Sequence, residues 1–271
     1  MVVEKSSLVR DGITLKFIEA GDSKGMPLLL IHGIADSWHA FLLMLPFLDR
    51  SLRNIAPSLR GHGDSDKPES GYGSKEMADD LIGLMNSLMV EKAVVLGASS
   101  GGLAARDLVL RYPERFVGLI LLGTPLKLDD NPILRQMYDT KISKFGDEVD
   151  PDFIREFVSG LLGTKVPSWF IGMMTEETMK VPSWVWKEYT ASLLAEGIPD
   201  NIGDIGVPCL IIWGDRDRIT GRSDQEEASR LIGDSRLVIH EGLGHMLYWE
   251  DPEAVAVDIN EFMKEMAKAG I

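Results

Sequence analysis

A chain of 271 residues, 45% of them hydrophobic and 26% charged, is long enough for one large core and has the composition of a folded globular protein. Its net charge of −14 repels phosphate backbones and anionic bilayers, so neither nucleic acid nor membrane is expected as a partner. The single cysteine, Cys209, excludes an intrachain disulfide and lies in an apolar run that reads as buried strand.

Residues 1–7 lack the apolar core of a secretion signal, and no apolar run reaches transmembrane length, so a cytoplasmic location is expected. Strand patterns follow at residues 13–20 and 27–32, then a helical stretch at 38–48 and a short strand at 54–56. A helix is predicted over 74–89, a strand over 93–96, a helix over 102–112 and a strand over 117–122. Beyond residue 126 the alternation stops, and no strand pattern returns before 206. Eighty residues are too many for a structureless loop, so a helical insertion is predicted. Lys-Val-Pro-Ser-Trp occurs in it twice, at residues 165–169 and 180–184, and each proline is expected to start a short helix. Strands then resume at 209–213 and 236–240, with helices at 224–232 and 252–267; Val255, Ile259, Phe262 and Met266 give the last one an apolar face. Strand and helix in alternation imply an α/β fold, a mainly parallel sheet with helices on both faces, and ligands bound at the carboxyl ends of its strands.

Gly97-Ala98-Ser99-Ser100-Gly101 sits between a β-branched strand and an alanine-rich helix. A serine on such a corner is forced into a strained backbone conformation that lifts its hydroxyl clear of the sheet, and the glycines remove colliding side chains. The helix N-terminus beyond it offers unpaired N–H groups where an oxyanion would form. Ser99 is therefore the candidate nucleophile.

A serine needs a base, and the base needs an orienting acid. His32, His39 and His62 precede the serine, and His240 falls on the last strand. His245 follows Glu241-Gly242-Leu243-Gly244, a turn leaving that strand at the edge where Ser99 is expected, and is the candidate base. Asp217 leaves another strand with two residues in which to turn away from the sheet and is the candidate acid. Asp215 is expected to pair with the backbone or with Arg218. Backbone N–H groups of Ile34, after the strand ending in His32-Gly33, and of Ser100 form the candidate oxyanion hole. His32 is expected to brace that loop by hydrogen bonds.

These motifs resemble the α/β-hydrolase superfamily over nearly all the chain outside the insertion. His32-Gly33 with Ser37-Trp38, Leu59-Arg60-Gly61-His62-Gly63-Asp64-Ser65-Asp66-Lys67-Pro68, the corner at Ser99, Gly214-Asp215-Arg216-Asp217, Gly244-His245 and Glu250-Asp251-Pro252-Glu253 stand in the family's order. The resemblance implies a hydrolase core of residues 1–125 and 207–271 with a helical cap at 126–206. Two departures stand out. Ser58 replaces the family's usual Asp before Leu-Arg-Gly, implying a different hydrogen bond in that loop. Ala98 and Ser100 flank the serine, and Ser100 is expected to cap the following helix rather than bring a second hydroxyl to the site. Phe170, Met173, Met174, Trp184 and Trp186 read as core of the insertion rather than wall of a pocket.

The implied activity is carboxylic ester hydrolysis through an acyl-enzyme, on a small-molecule ester and with no metal or organic cofactor. Lactone opening, carbon–carbon hydrolysis of a diketone-like acid and peracid formation are alternatives on the same triad, as is a ligand receptor that retains it. Similar dehalogenases and epoxide hydrolases use an aspartate nucleophile, which Ser99 argues against.

Overall fold

A computed structural model describes residues 3–268. Its first two strands, Val3–Arg10 (β1) and Ile13–Gly21 (β2), form a hairpin closed by Asp11 and Gly12, both at positive φ (48° and 81°) as such a two-residue turn demands. No strand was predicted over β1, because it is an edge strand with most of its side chains in water and has no apolar face to read. Pro27–Ile31 (β3) and Arg53–Pro57 (β4) follow, then Ser74–Ser87 (α1), Ala93–Ala98 (β5), Gly101–Arg111 (α2) and Phe116–Leu122 (β6). Between β3 and β4 two short 3₁₀ turns, Trp38–Phe41 and Leu45–Phe47, replace the predicted helix; Pro46, in the first turn of the second, has no N–H to continue a helix from the first.

After β6 come four helices and no strand: Pro132–Thr140 (α3), Pro151–Gly160 (α4), Ser168–Met179 (α5) and Ser183–Leu193 (α6). Pro167 and Pro182 stand at the N-caps of α5 and α6, one position earlier than the first helical turn. Phe153 and Phe157 from α4 meet Trp186 of α6 edge-on, at ring distances of 5.5 and 5.0 Å, and give this insertion its own aromatic core. The sheet then resumes with Cys209–Gly214 (β7), Arg222–Leu231 (α7), Ser235–His240 (β8), Leu247–Glu250 (α8) and Pro252–Lys268 (α9).

The eight strands lie in the order β1-β2-β4-β3-β5-β6-β7-β8, antiparallel at β1, β2 and β4 and parallel from β4 to β8. Helices cover both faces, as the pairing register shows. A Cβ on Gly97 would meet α2 at 2.4 Å, and Gly97 pairs with Leu121. Gly118, three residues away on the same strand, therefore faces the other side, where a Cβ would meet Phe262 of α9 at 2.9 Å. The chain runs from β3 outward to β4, then returns to β5 on the other flank of β3. The crevice at this reversal, at the carboxyl ends of β3 and β5, is where open α/β sheets bind ligands.

Candidate active site

Ser99 occupies the corner between β5 and α2 with φ of 51°, a left-handed conformation that a side chain adopts only when its surroundings enforce it. The enforcement is close packing. A Cβ on Gly101 would stand 2.3 Å from the His32 carbonyl oxygen, and one on Gly102 would stand 2.0 Å from Thr124 Oγ1. Only glycines let strand, corner and helix approach this closely.

His245 reaches the same point from the loop after β8. Its Nε2 is 2.9 Å from Ser99 Oγ, and its Nδ1 is 2.8 Å from Asp217 Oδ2. Because the carboxylate only accepts, the proton sits on Nδ1 and Nε2 is free to accept from the serine hydroxyl. Asp217 accepts three more bonds, from the N–H groups of Ile219 and Thr220 and from Thr220 Oγ1 at 2.6 Å. Burial raises the Asp217 pKa, but the interaction with His245 and the bonds from Thr220 outweigh it and hold the carboxyl below its ordinary range. Asp215 turns elsewhere, accepting the Gly242 N–H at 2.6 Å.

The other histidines are engaged away from this chain of contacts. His32 donates from Nδ1 to the Gly33 carbonyl and accepts the Leu59 N–H at Nε2, bracing two loops. Burial, helped by His62, pushes it down to about 3, so it stays neutral. His62 donates to the Arg60 carbonyl, His39 contacts Ser37, and His240 pairs with Asp258 of α9. Ser58, in place of the family's Asp, accepts the Trp38 N–H at 3.2 Å and so ties the loop after β3 to that after β4.

The oxyanion side differs from expectation in one respect. Ser100 makes no side-chain capping bond to α2. Its Oγ instead accepts the Ile34 N–H at 2.8 Å and lies 3.1 Å from the hydroxyl of Tyr189 on α6. The Ile34 N–H is thus already donated, whereas the Ser100 N–H meets no backbone acceptor among the described residues. Sequence reasoning missed Tyr189 altogether, since it lies 89 residues from its partner in a segment without motifs.

A cavity opens above Ser99, Ser100, Ile34 and His245, walled by Leu134, Met137, Phe157, Leu161 and Leu193 of the insertion. The cavity has a volume of about 70 Å³, enough for a few waters. Phe170, Met173, Met174, Trp184 and Trp186 do not line it. Phe170, Met174 and Trp186 are buried in the core, and Met173 is half-buried. Trp184 departs from that reading: 44% exposed, it donates its indole N–H to the Pro68 carbonyl. Asp36 also borders the cavity, and burial alone pushes its carboxyl well above the ordinary range. Glu250 ties the two regions together, accepting N–H groups of Gly163 and Gly244 at 2.8 Å each and the Thr164 hydroxyl at 3.1 Å. Among the described residues no helix is long and apolar enough to cross a membrane.

Comparison with known proteins agrees with this architecture. The sequence profile of the alpha/beta hydrolase family matches residues 28–259. A putative non-heme chloroperoxidase from Synechocystis sp. is 31% identical over 261 residues, covering 85% of this chain and 88% of that protein. A thermophilic esterase from Thermogutta terrifontis superposes with a TM-score of 0.82 at 27% identity, covering 98% of this chain and 99% of that one. An esterase from Exiguobacterium antarcticum superposes with a TM-score of 0.88 at 21% identity, covering 97% and 100%, a likeness of fold alone.

Proposed function

The chain belongs to the alpha/beta hydrolase family, and from that premise we propose that it cleaves carboxylic esters through an acyl-enzyme formed on Ser99. The observation that carries this reading is the continuous pair of contacts from Ser99 Oγ to His245 Nε2 and from His245 Nδ1 to Asp217 Oδ2. His245 takes the hydroxyl proton as Ser99 Oγ attacks the ester carbonyl, and Asp217 stabilises the resulting imidazolium. The negative charge gathers on the carbonyl oxygen against the oxyanion donors, for which Ser100 and Ile34 are the candidates; one such donor is typically worth about 3 kcal/mol. Collapse transfers the imidazolium proton to the departing alcohol and leaves an ester between Ser99 and the acyl group. Water then attacks with His245 again as base, which releases the carboxylic acid and restores the serine.

We assign residues 126–206 as a cap over a core of residues 1–125 and 207–271. The insertion's side chains wall the cavity beside Ser99 and leave little room there, which supports a short acyl group as the substrate class. The test is a panel of p-nitrophenyl esters from acetyl to decanoyl, alongside lactones, diketone acids and peracid formation, with the Ser99→Ala variant as control. Turnover of short esters, lost in Ser99→Ala, and a fluorophosphonate adduct mapped to Ser99 are the expected results. Adduct on Ser100, or turnover undiminished in Ser99→Ala, overturns the assignment.

A further inference from the structure

Among the described residues the Ser100 hydroxyl donates no hydrogen bond, and its two neighbours leave its proton one direction to go. Ile34 N lies 2.8 Å from Ser100 Oγ, and an amide N–H can only donate, so Oγ accepts there. Tyr189 is buried, and Ser100 Oγ, at 3.1 Å, is its hydroxyl's hydrogen-bond partner among the described residues. A phenol is a stronger donor than an aliphatic alcohol, and a buried phenol proton needs an acceptor. Tyr189 therefore donates and Ser100 accepts twice. With both lone pairs taken, the remaining Ser100 O–H bond points away from Ile34 and Tyr189. Ser100, Ile34 and Ser99 line one cavity.

We propose that the Ser100 hydroxyl, rather than the Ile34 N–H, supplies the second hydrogen bond to the oxyanion, beside the Ser100 backbone N–H. This inference rests on the reading of Ser99 as the nucleophile. Ser100 is then a catalytic residue that touches the reacting oxygen. Ile34 and Tyr189 act through it as positioning residues: each donated hydrogen bond polarises the Ser100 O–H and makes it a better donor. Neither partner has to move when charge develops, which is the condition for strong electrostatic stabilisation. The arrangement also brings a helix of the insertion into the chemistry, because Tyr189 belongs to α6.

The experiment compares Ser100→Ala, Ser100→Thr and Tyr189→Phe on p-nitrophenyl butyrate. Each variant is also titrated with an aryl trifluoromethyl ketone, which forms a tetrahedral adduct on the nucleophile and reports oxyanion binding directly. Ser100→Ala should lower kcat about 100-fold with KM little changed, and weaken the ketone by a similar factor. Ser100→Thr, which keeps the hydroxyl, should recover most of both losses. Tyr189→Phe should lower kcat about 10-fold and weaken the ketone in parallel, with KM unmoved, a split that loosened packing would not give. If Ser100→Ala fails to fold, the Tyr189→Phe result decides. A variant of either residue that is folded and keeps kcat and ketone affinity within about threefold of the parent overturns the inference: Ile34 then donates directly, and the acyl-enzyme reading stands. A parent protein that neither turns over the ester nor takes a fluorophosphonate on Ser99 overturns both.

Discussion

The carboxyl edge of the sheet and the inserted helices meet across one cavity, yet they are built on different principles. At the sheet edge every candidate side chain leaves a strand within a few residues: Ser99 after β5, Asp217 after β7, His245 after β8. Short connections leave little freedom, so backbone strain and glycine contacts set positions almost locally. In the insertion, by contrast, the residues that matter come from α3, α4 and the end of α6, and their meeting depends on how four helices pack. The difference teaches that the proposed triad is anchored to strand ends, with Tyr189 alone reaching Ser100 from α6, while the shape of the pocket is a property of helix packing.

The largest expected effect lies at the sheet edge. Asp217→Asn should leave the fold intact and cut turnover by about 10⁴-fold, because the amide favours the wrong imidazole tautomer. Asp215→Asn, which perturbs only the bond to Gly242, should stay within about tenfold of the parent. Steady-state kinetics on one short ester decides, and the reverse ranking would break the contrast at its root.

A second test concerns the insertion. Phe157→Ala and Met137→Ala enlarge the cavity wall and should shift preference toward longer acyl chains by roughly 10-fold or more, with fluorophosphonate labelling of Ser99 retained. Trp184→Ala, at an exposed position, should leave the ranking of chain lengths unchanged. Equal loss on all esters for the two wall variants would mean the insertion supports the fold without shaping the pocket.

Glu250 sharpens the comparison because it joins the two regions. Glu250→Ala leaves the buried Gly244 N–H without its acceptor, at a cost of about 1–3 kcal/mol, while the exposed Gly163 N–H can turn to water. A lower melting temperature together with reduced kcat is expected, since Gly244 adjoins His245. Full activity in the destabilised variant would show that the base does not depend on this tie.

The smallest effect should come from Asp36, through stability and its dependence on pH. Its native pKa is raised by burial, so between the ordinary aspartate value and the native one the folded chain holds a proton that the unfolded chain has lost. Stability contributed by this site therefore falls as pH rises through that window. Asp36→Asn removes the dependence and should raise the melting temperature more at pH 7 than at pH 4, by about 2–4 °C for each kcal/mol recovered. Thermal melts showing an equal shift at both pH values would contradict the sign.

Much of this was legible in the residues alone. The alternation of apolar runs with helical patterns gave seven of the eight strands to within a few residues, and motif position alone pointed to Ser99, Asp217 and His245, which the fold brings within hydrogen-bond reach. Those features are local: a strand needs only its own apolar run, and a turn only its glycines. Tertiary structure decided what depends on distant partners. The edge strand β1 has no buried face to announce it. The cavity wall arises where α3, α4 and α6 converge, which no periodicity encodes. Ser100 read as a helix cap because its neighbours in sequence suggested one. Its hydroxyl is instead claimed by Ile34, 66 positions before it, and Tyr189, 89 positions after. A hydrogen bond is decided by whichever donors reach the oxygen in space, and only the folded chain selects them.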